Sequence, residues 1–298
     1  MNQIQIDYNT IKLILNKKVI SIKPILNKGD VNRVYIVKTG RKIIVIRLNE
    51  ACEIQRFKKE RWCIGKASEI GIPTTRVIGI GTINNTAFMI LNFISGLNGK
   101  KISENKPQIW YKIGAYAKKI HSIKTGGFGE KITSPGHFND SWEKFVKYNI
   151  ESLNKEDKIL SMGVINNSES EKLRRHFKSL LEKQFNFGLT HGDLSLANVI
   201  VQGDNVTLID WGSAESTVVP HFEIISIFEN SLQEDDPLFK NFISGYGMSP
   251  KDYENMKPDI TSLTLLKAVD KLRWAMDQKP EMIEKFSARV RKLVSKFI

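Results

Sequence analysis

The chain has 298 residues, of which 41% are hydrophobic and 26% charged, with a formal net charge of +13. That length supports one large folded domain or two modest ones, and that balance excludes a disordered or fibrous chain. The basic excess is lysine spread along the chain rather than gathered into one run or an arginine–aromatic patch, which argues against a nucleic-acid partner.

The opening, MNQIQIDYNTIKLILNKK, lacks the layout of a secretion signal, and no stretch approaches the roughly 18 consecutive apolar residues of a membrane span. A cytoplasmic address and no membrane partner are expected. From Val19 to Ile94 the sequence reads as a small sheet interrupted by one helix. Strand-like runs rich in Ile and Val fall at 19–26, 32–38, 42–48, 76–81 and 86–93. The second and third are joined by Lys38-Thr39-Gly40-Arg41, a hairpin signal, and helical periodicity runs from Glu50 to Ile70, stopping at Gly71 with Pro73 just beyond.

After Gly96 the pattern becomes helical, at about 107–122, 140–155, 169–187, 220–232, 236–245, 261–277 and 281–297. One hairpin interrupts it: 198–201 and 206–210, turning on Gln202-Gly203-Asp204-Asn205. A β-rich first third and an α-rich remainder predict an α+β, two-lobed fold, with a boundary near residue 94 that leaves 1–94 and 95–298 as the two units. The two cysteines, Cys52 and Cys63, fall in one helical segment too far apart to pair, and the five histidines show no metal-ligand spacing, so any metal should be a hard cation on oxygen ligands.

The chemistry concentrates in Leu189 to Trp211, LTHGDLSLANVIVQGDNVTLIDW. Asp193 and Asn198 flank a loop, and Asp210 ends a short apolar strand. Phosphoryl transfer needs phosphates and metal held in line with an oriented hydroxyl, and three oxygen-bearing side chains at rigid strand ends can do this. Asn198 and Asp210 suit Mg²⁺, which takes few protein oxygens, and Asp193 would accept the acceptor's proton. Either piece alone could be a turn or a helix cap. Together, H-x-D-x-x-x-x-N and a later D-W-G match the order and gap of the kinase catalytic loop and metal turn.

With H-G-D-(x)4-N followed by I-D-W, the sequence resembles the aminoglycoside phosphotransferase and choline kinase-like enzymes over most of its length. Leu26-Asn27-Lys28-Gly29-Asp30-Val31-Asn32-Arg33-Val34-Tyr35 is similar to the family's phosphate-covering turn, and Met89 to Gly96 to its interlobe hinge. The resemblance implies a protein-kinase-like fold, with 1–94 as the nucleotide lobe and 95–298 carrying the catalytic loop and acceptor site. It further implies Asp193 as catalytic base, Asn198 and Asp210 on Mg²⁺, ATP as donor, and adenine bonded near Asn92 and Ile94. Phosphate contacts would use Gly29 and the backbone N–H groups beside it.

In Ile43-Ile44-Val45-Ile46-Arg47-Leu48 a strand that reads as buried carries an arginine. An unpaired buried charge costs several kcal/mol, so Arg47 needs a carboxylate or a phosphate, and Glu60 on the following helix is the candidate partner. On the acceptor side, the segment 215–259 holds nine acids against three lysines, which favours a cationic acceptor. Glu234 and Asp235 belong to that segment but stand beside Asp236 at a helix start, where carboxylates also suit the dipole. Asp270 and Trp274 share a helix face that could receive an ammonium group or simply pack. Glu223 reads as support behind the catalytic loop.

The expected function is phosphotransfer from Mg-ATP to a small, cationic acceptor, with an aminoglycoside leading and choline-like amines, amino sugars and homoserine-like alcohols open. A catalytically idle kinase-like binding protein is the alternative from another class. Monomer and homodimer both remain open.

Overall fold

The computed structural model describes residues 3–16, 18–25, 32–40 and 42–298. It opens with helix α1 (Gln3–Leu15), then strands β1 (Ser21–Pro24), β2 (Arg33–Thr39) and β3 (Lys42–Glu50). Helix α2 (Ile54–Glu69) follows, and β4 (Val77–Ile83) and β5 (Thr86–Asn92) complete a five-stranded antiparallel sheet in the order β1-β2-β3-β5-β4. The period-2 alternation of β3 sorts its side chains. Ile44, Ile46 and Leu48 join Ile11, Tyr35 and Val37 in a cluster under α1, while Val45 packs with the core that holds Phe57, Cys63 and Ile64 of α2. Arg47 therefore points to the α2 side, away from the α1 cluster.

Helix α1 was not visible as a helix in the sequence. It is fastened by Asp7, 1% exposed, which accepts hydrogen bonds from Arg33 Nε at 2.7 Å and the Tyr35 hydroxyl at 2.5 Å. Burial first, and then the Asp7 carboxylate, push the Tyr35 phenol far above its ordinary range.

The chain crosses to the helical part through a two-residue strand, β6 (Leu97–Asn98), then runs through α3 (Lys106–His121), a hairpin β7 (Phe128–Ser134) and β8 (His137–Asp140), α4 (Trp142–Ser152), α5 (Lys158–Ser161) and α6 (Asn167–Leu181). Next come β9 (Phe187–Thr190), the hairpin β10 (Val199–Gln202) and β11 (Asn205–Leu208), and β12 (Glu215–Val218). Helices α7 (His221–Asn230), α8 (Pro237–Tyr246), α9 (Pro250–Gln278) and α10 (Ile283–Phe297) close the fold.

Two small sheets order the functional loop: β11-β10-β6, and β8-β7-β12-β9. The first ties the crossover to the hairpin, since Asn98 pairs with Ile200 and donates through its side-chain amide to the Ala197 carbonyl at 2.6 Å. The second was unexpected. The helix expected over 169–187 stops at Leu181, and Phe187 to Thr190 instead pairs with Val218 to Glu215. The helix expected from 261 begins eleven residues earlier, at Pro250 under a Ser249 cap, and runs through Pro258.

Candidate active site

Three elements converge on the loop between β9 and β10. His191 is fully buried, its ring tilted against Trp211 with centroids 4.8 Å apart. Its backbone N–H donates to Glu223 Oε2 at 2.7 Å, and the Gly192 N–H donates to Glu223 Oε1 at 3.1 Å. Ser226 Oγ donates to the Gly192 carbonyl at 2.5 Å and Ser231 Oγ to the Leu194 carbonyl at 3.1 Å. Helix α7 and its C-terminal end thus grip the loop from behind. Burial raises the Glu223 carboxyl, but the neighbouring His121 and His191 and the loop amide outweigh it and hold this acid below its ordinary pKa. Its reading as support rather than substrate ligand agrees with this placement.

Gly192 has φ +77°, and a Cβ there would run into the Ser213 carbonyl of the turn after Asp210. Only glycine lets the loop and the turn approach so closely. The hairpin adds a second link, because the Ile209 N–H donates to the Asn198 carbonyl at 2.9 Å, setting Asn198 beside Asp210.

Asn198 Nδ2 donates to the Asp193 carboxylate at 2.7 Å and to the Asp193 carbonyl at 2.9 Å. With both amide hydrogens so engaged, the amide oxygen of Asn198 faces away from Asp193. Asp210 has φ 63° and ψ 71°, a left-handed conformation that costs a non-glycine residue about 1 to 3 kcal/mol and collects at functional sites. Its side chain is half-exposed. An amide oxygen and an exposed carboxylate on adjoining strand ends form an all-oxygen donor pair, and this fits a hard divalent cation completed by phosphates and water. Burial pushes the Asp193 carboxyl above its ordinary pKa, against the lowering hydrogen bond from Asn198.

Arg47, 8% exposed, donates through Nη1 to Glu60, 2% exposed, and through Nη2 to Asp210 at 3.3 Å. Burial opposes the charge, but the Glu60 and Asp210 carboxylates outweigh it and hold the guanidinium ionised. The partner expected from sequence is therefore the observed one. Next to Glu60, Lys59 is 5% exposed and donates to the Gly212 carbonyl at 2.9 Å, and Trp211 Nε1 donates to Thr74 Oγ1 at 2.9 Å. Neither Lys59 nor Thr74 stood out in the sequence. A lysine beside a glutamate on a helix ordinarily faces water, and only the fold reveals the buried contact.

Gly29 and the turn around it lie outside the described residues. At the expected hinge, the Asn92 N–H donates to the Arg76 carbonyl at 3.1 Å and Asn92 Oδ1 accepts from the Arg76 N–H at 2.5 Å, so the backbone N–H and the side-chain oxygen of Asn92 are both taken by Arg76. On the acceptor side a cavity of about 410 Å³ opens beside Asp193, walled by Lys100, Ser195, Glu229, Lys267 and Lys271. Glu234, Asp235, Asp270 and Trp274 do not line it. Glu234 bonds Lys257 at 2.7 Å, Asp235 is exposed, Asp270 accepts from Asn149 Nδ2 at 3.2 Å, and Trp274 is 45% exposed. The acids of 215–259 are largely engaged elsewhere: Asp236 and Asp252 at helix starts, Glu223 under the loop, Asp259 with Lys183.

The phosphotransferase enzyme family matches residues 22–258, and the chain belongs to that family. The two-lobed, kinase-like architecture is shared with solved aminoglycoside phosphotransferases. One is a thermostable mutant of APH(4)-Ia in a ternary complex with ADP and hygromycin B, with TM-score 0.69, 16% identity and coverage of 97% of this chain and 98% of the other. Another is a GDP complex of aminoglycoside 2'-phosphotransferase-IIIa, with TM-score 0.72, 12% identity and full coverage of both chains. A probable ketoamine kinase of Staphylococcus aureus is 25% identical over an alignment of 193 positions that covers 60% of this chain and 63% of that one, so the match spans less than two thirds of the relative. Among the described residues no helix is long and apolar enough to cross a membrane.

Proposed function

We propose that this chain is a small-molecule kinase that moves the γ-phosphate of Mg-ATP to a hydroxyl of a polyhydroxylated acceptor, with Asp193 as catalytic base and Asn198 and Asp210 as the metal-binding pair. The observation that carries this reading is the convergence of Asp193, Asn198 and Asp210 at one end of the β10–β11 hairpin, with the buried Arg47–Glu60 pair reaching Asp210 from the other lobe. Mg²⁺ there would supply charge neutralisation on the transferred phosphoryl group. Asp193 is held by Asn198 with its carboxylate beside the acceptor cavity, in position to orient a hydroxyl and take its proton. Arg47 places a permanent positive charge next to Asp210, suited to the phosphate side. A base contact at the backbone near Ile94 and phosphate contacts at Gly29 belong to the same reading.

For the acceptor, two classes are supported by what relatives are named for: ketoamines and aminoglycosides. A cationic acceptor rests on the hygromycin B and kanamycin complexes of the structural neighbours.

The test is nucleotide turnover with Mg-ATP and Mg-GTP against a panel of ketoamines, amino sugars, aminoglycosides and choline, for wild type and Asp193→Asn. Acceptor-dependent ADP or GDP release that disappears in the variant establishes the reading. No turnover, with no Mg-nucleotide binding by calorimetry, would replace it with a binding role for a kinase-like fold.

A further inference from the structure

We infer that the acceptor carries an anionic group, a carboxylate or a phosphate, received by Lys267 and Lys271 on the wall of the cavity that opens on Asp193; this rests on the kinase reading above. Lys267 and Lys271 stand four residues apart on α9 and so share a helix face, and both line the cavity with Asp193. The carboxylate opposite them is Glu229 on α7, whose side chain is 6% exposed. That one carboxylate is shared among three cations: Arg289 Nη2 donates to it at 2.7 Å, Lys267 Nζ lies at 3.3 Å, and Lys271 Nζ at 3.9 Å. One negative charge against three positive ones leaves two positive charges uncompensated within the cluster.

Glu215 also stands near Lys267, and burial pushes its carboxyl above its ordinary range; it does not line the cavity. Lys271 is the cation left over. Burial lowers its pKa, Lys267, Arg289 and Lys285 add repulsion, and Glu229 does not offset them. Lys267 lies over the Phe222 ring at 5.8 Å and Lys271 over the Phe286 ring at 5.6 Å. Each ammonium group thus has an aromatic face beside it as well as the Glu229 carboxylate, while both side chains keep a solvent-accessible part, 22% for Lys267 and 41% for Lys271.

Lys100, exposed on another wall of the same cavity, adds a further positive charge. A polycationic acceptor would bring like charges together here, whereas an anionic oxygen group would complete two charge-assisted contacts. The cavity is of a size for a single sugar-sized molecule, with its hydroxyl end at Asp193 and its anionic end at α9.

The experiment compares matched acceptors that differ in charge, 1-deoxyfructose bonded at C1 to the amine of glycine, of aminomethylphosphonate or of glycinamide, with kanamycin as the polycationic arm. The reading is kcat/KM with Mg-ATP for wild type, Lys267→Gln and Lys271→Gln. The expected result is a preference of about tenfold or more for the carboxylate or the phosphonate over the amide, shrinking in each variant. The better of the two anionic arms identifies the anion. Equal or better use of the amide or of kanamycin overturns the inference, as does a preference that survives both variants.

Calorimetry of the same four compounds on enzyme loaded with Mg-ADP reads the charge preference without chemistry. Failure of both anionic conjugates to bind there overturns the inference even if kanamycin is phosphorylated. Absence of Mg-ADP binding and of all turnover instead removes the kinase reading on which the inference stands.

Discussion

Lys59 Nζ donates to the Gly212 carbonyl at 2.9 Å across 153 residues of sequence, so the helix that supplies Glu60 to Arg47 also holds the turn that follows Asp210. Adjacent residues on α2 thereby tie the sheet to the turn that follows Asp210. Lys59→Met keeps the stem and removes the donor. It should cost about 1.5 to 3 kcal/mol in denaturant unfolding, because the hydrogen bond of a charged donor, itself 5% exposed, is lost. It should also lower kcat by about 10²-fold through misplacement of Asp210. A kcat within twofold of wild type would show that the contact does not position the turn.

The Arg47–Glu60 pair separates stability from catalysis. Breaking it with Glu60→Gln leaves a buried guanidinium with only Asp210 and should destabilise by about 3 to 5 kcal/mol. Replacing both residues by methionine restores an apolar contact and should recover much of that loss. Activity should not return, because no charge then faces the phosphates. Urea unfolding and turnover on the single and double variants check both halves.

Gly192→Ala tests the close approach of the catalytic loop to the turn at Ser213. A left-handed φ at a non-glycine residue costs about 1 to 2 kcal/mol, and the added Cβ would displace the Ser213 carbonyl as well. Turnover should fall further than stability, since the displaced groups adjoin Asp193 and Asp210. Comparable losses at both readouts would assign the glycine to folding alone.

Much of the site was legible in the sequence because its parts are local. His191, Gly192, Asp193 and Asn198 lie within one loop, and the turn at Gln202-Gly203 dictates that Asp210 returns beside Asn198. The five strands of the first sheet were legible for the same reason, being long, β-branched and separated by turn signals. What was not legible depends on pairing between distant segments. Phe187 to Thr190 pairs as a strand because Glu215 to Val218 lies against it, and α1 docks on the sheet where Arg33 and Tyr35 meet Asp7.

The placement of the acidic segment was not legible for a related reason. Counting charge along 215–259 suggested an acidic wall, but the fold distributes those carboxylates among helix starts, the catalytic loop and ion pairs. Lys267 and Lys271 reach the cavity from the part of α9 that lies beyond that segment. Asp270 and Trp274, on the same helix, stay clear of the cavity, so a shift of one residue around α9 changes the sign of the charge presented.

His221 supplies a pH dependence of stability independent of the catalytic groups. Its ring packs on Phe185 at 5.3 Å, and the residue is 8% exposed. Burial first, with the charges of Lys183 and His121 adding to it, lowers its pKa from 6.5 to about 4, while Asp259 and a backbone hydrogen bond at Val219 act the other way. The folded protein therefore keeps His221 neutral in a range where the unfolded chain takes up a proton. Its contribution is fully present above pH 6.5 and is lost progressively as pH falls from 6.5 towards about 4. His221→Phe preserves an aromatic ring without a titrating group, so its urea midpoint should fall less than that of wild type across that window. Equal slopes for the two proteins would place the acid sensitivity in the carboxylates instead.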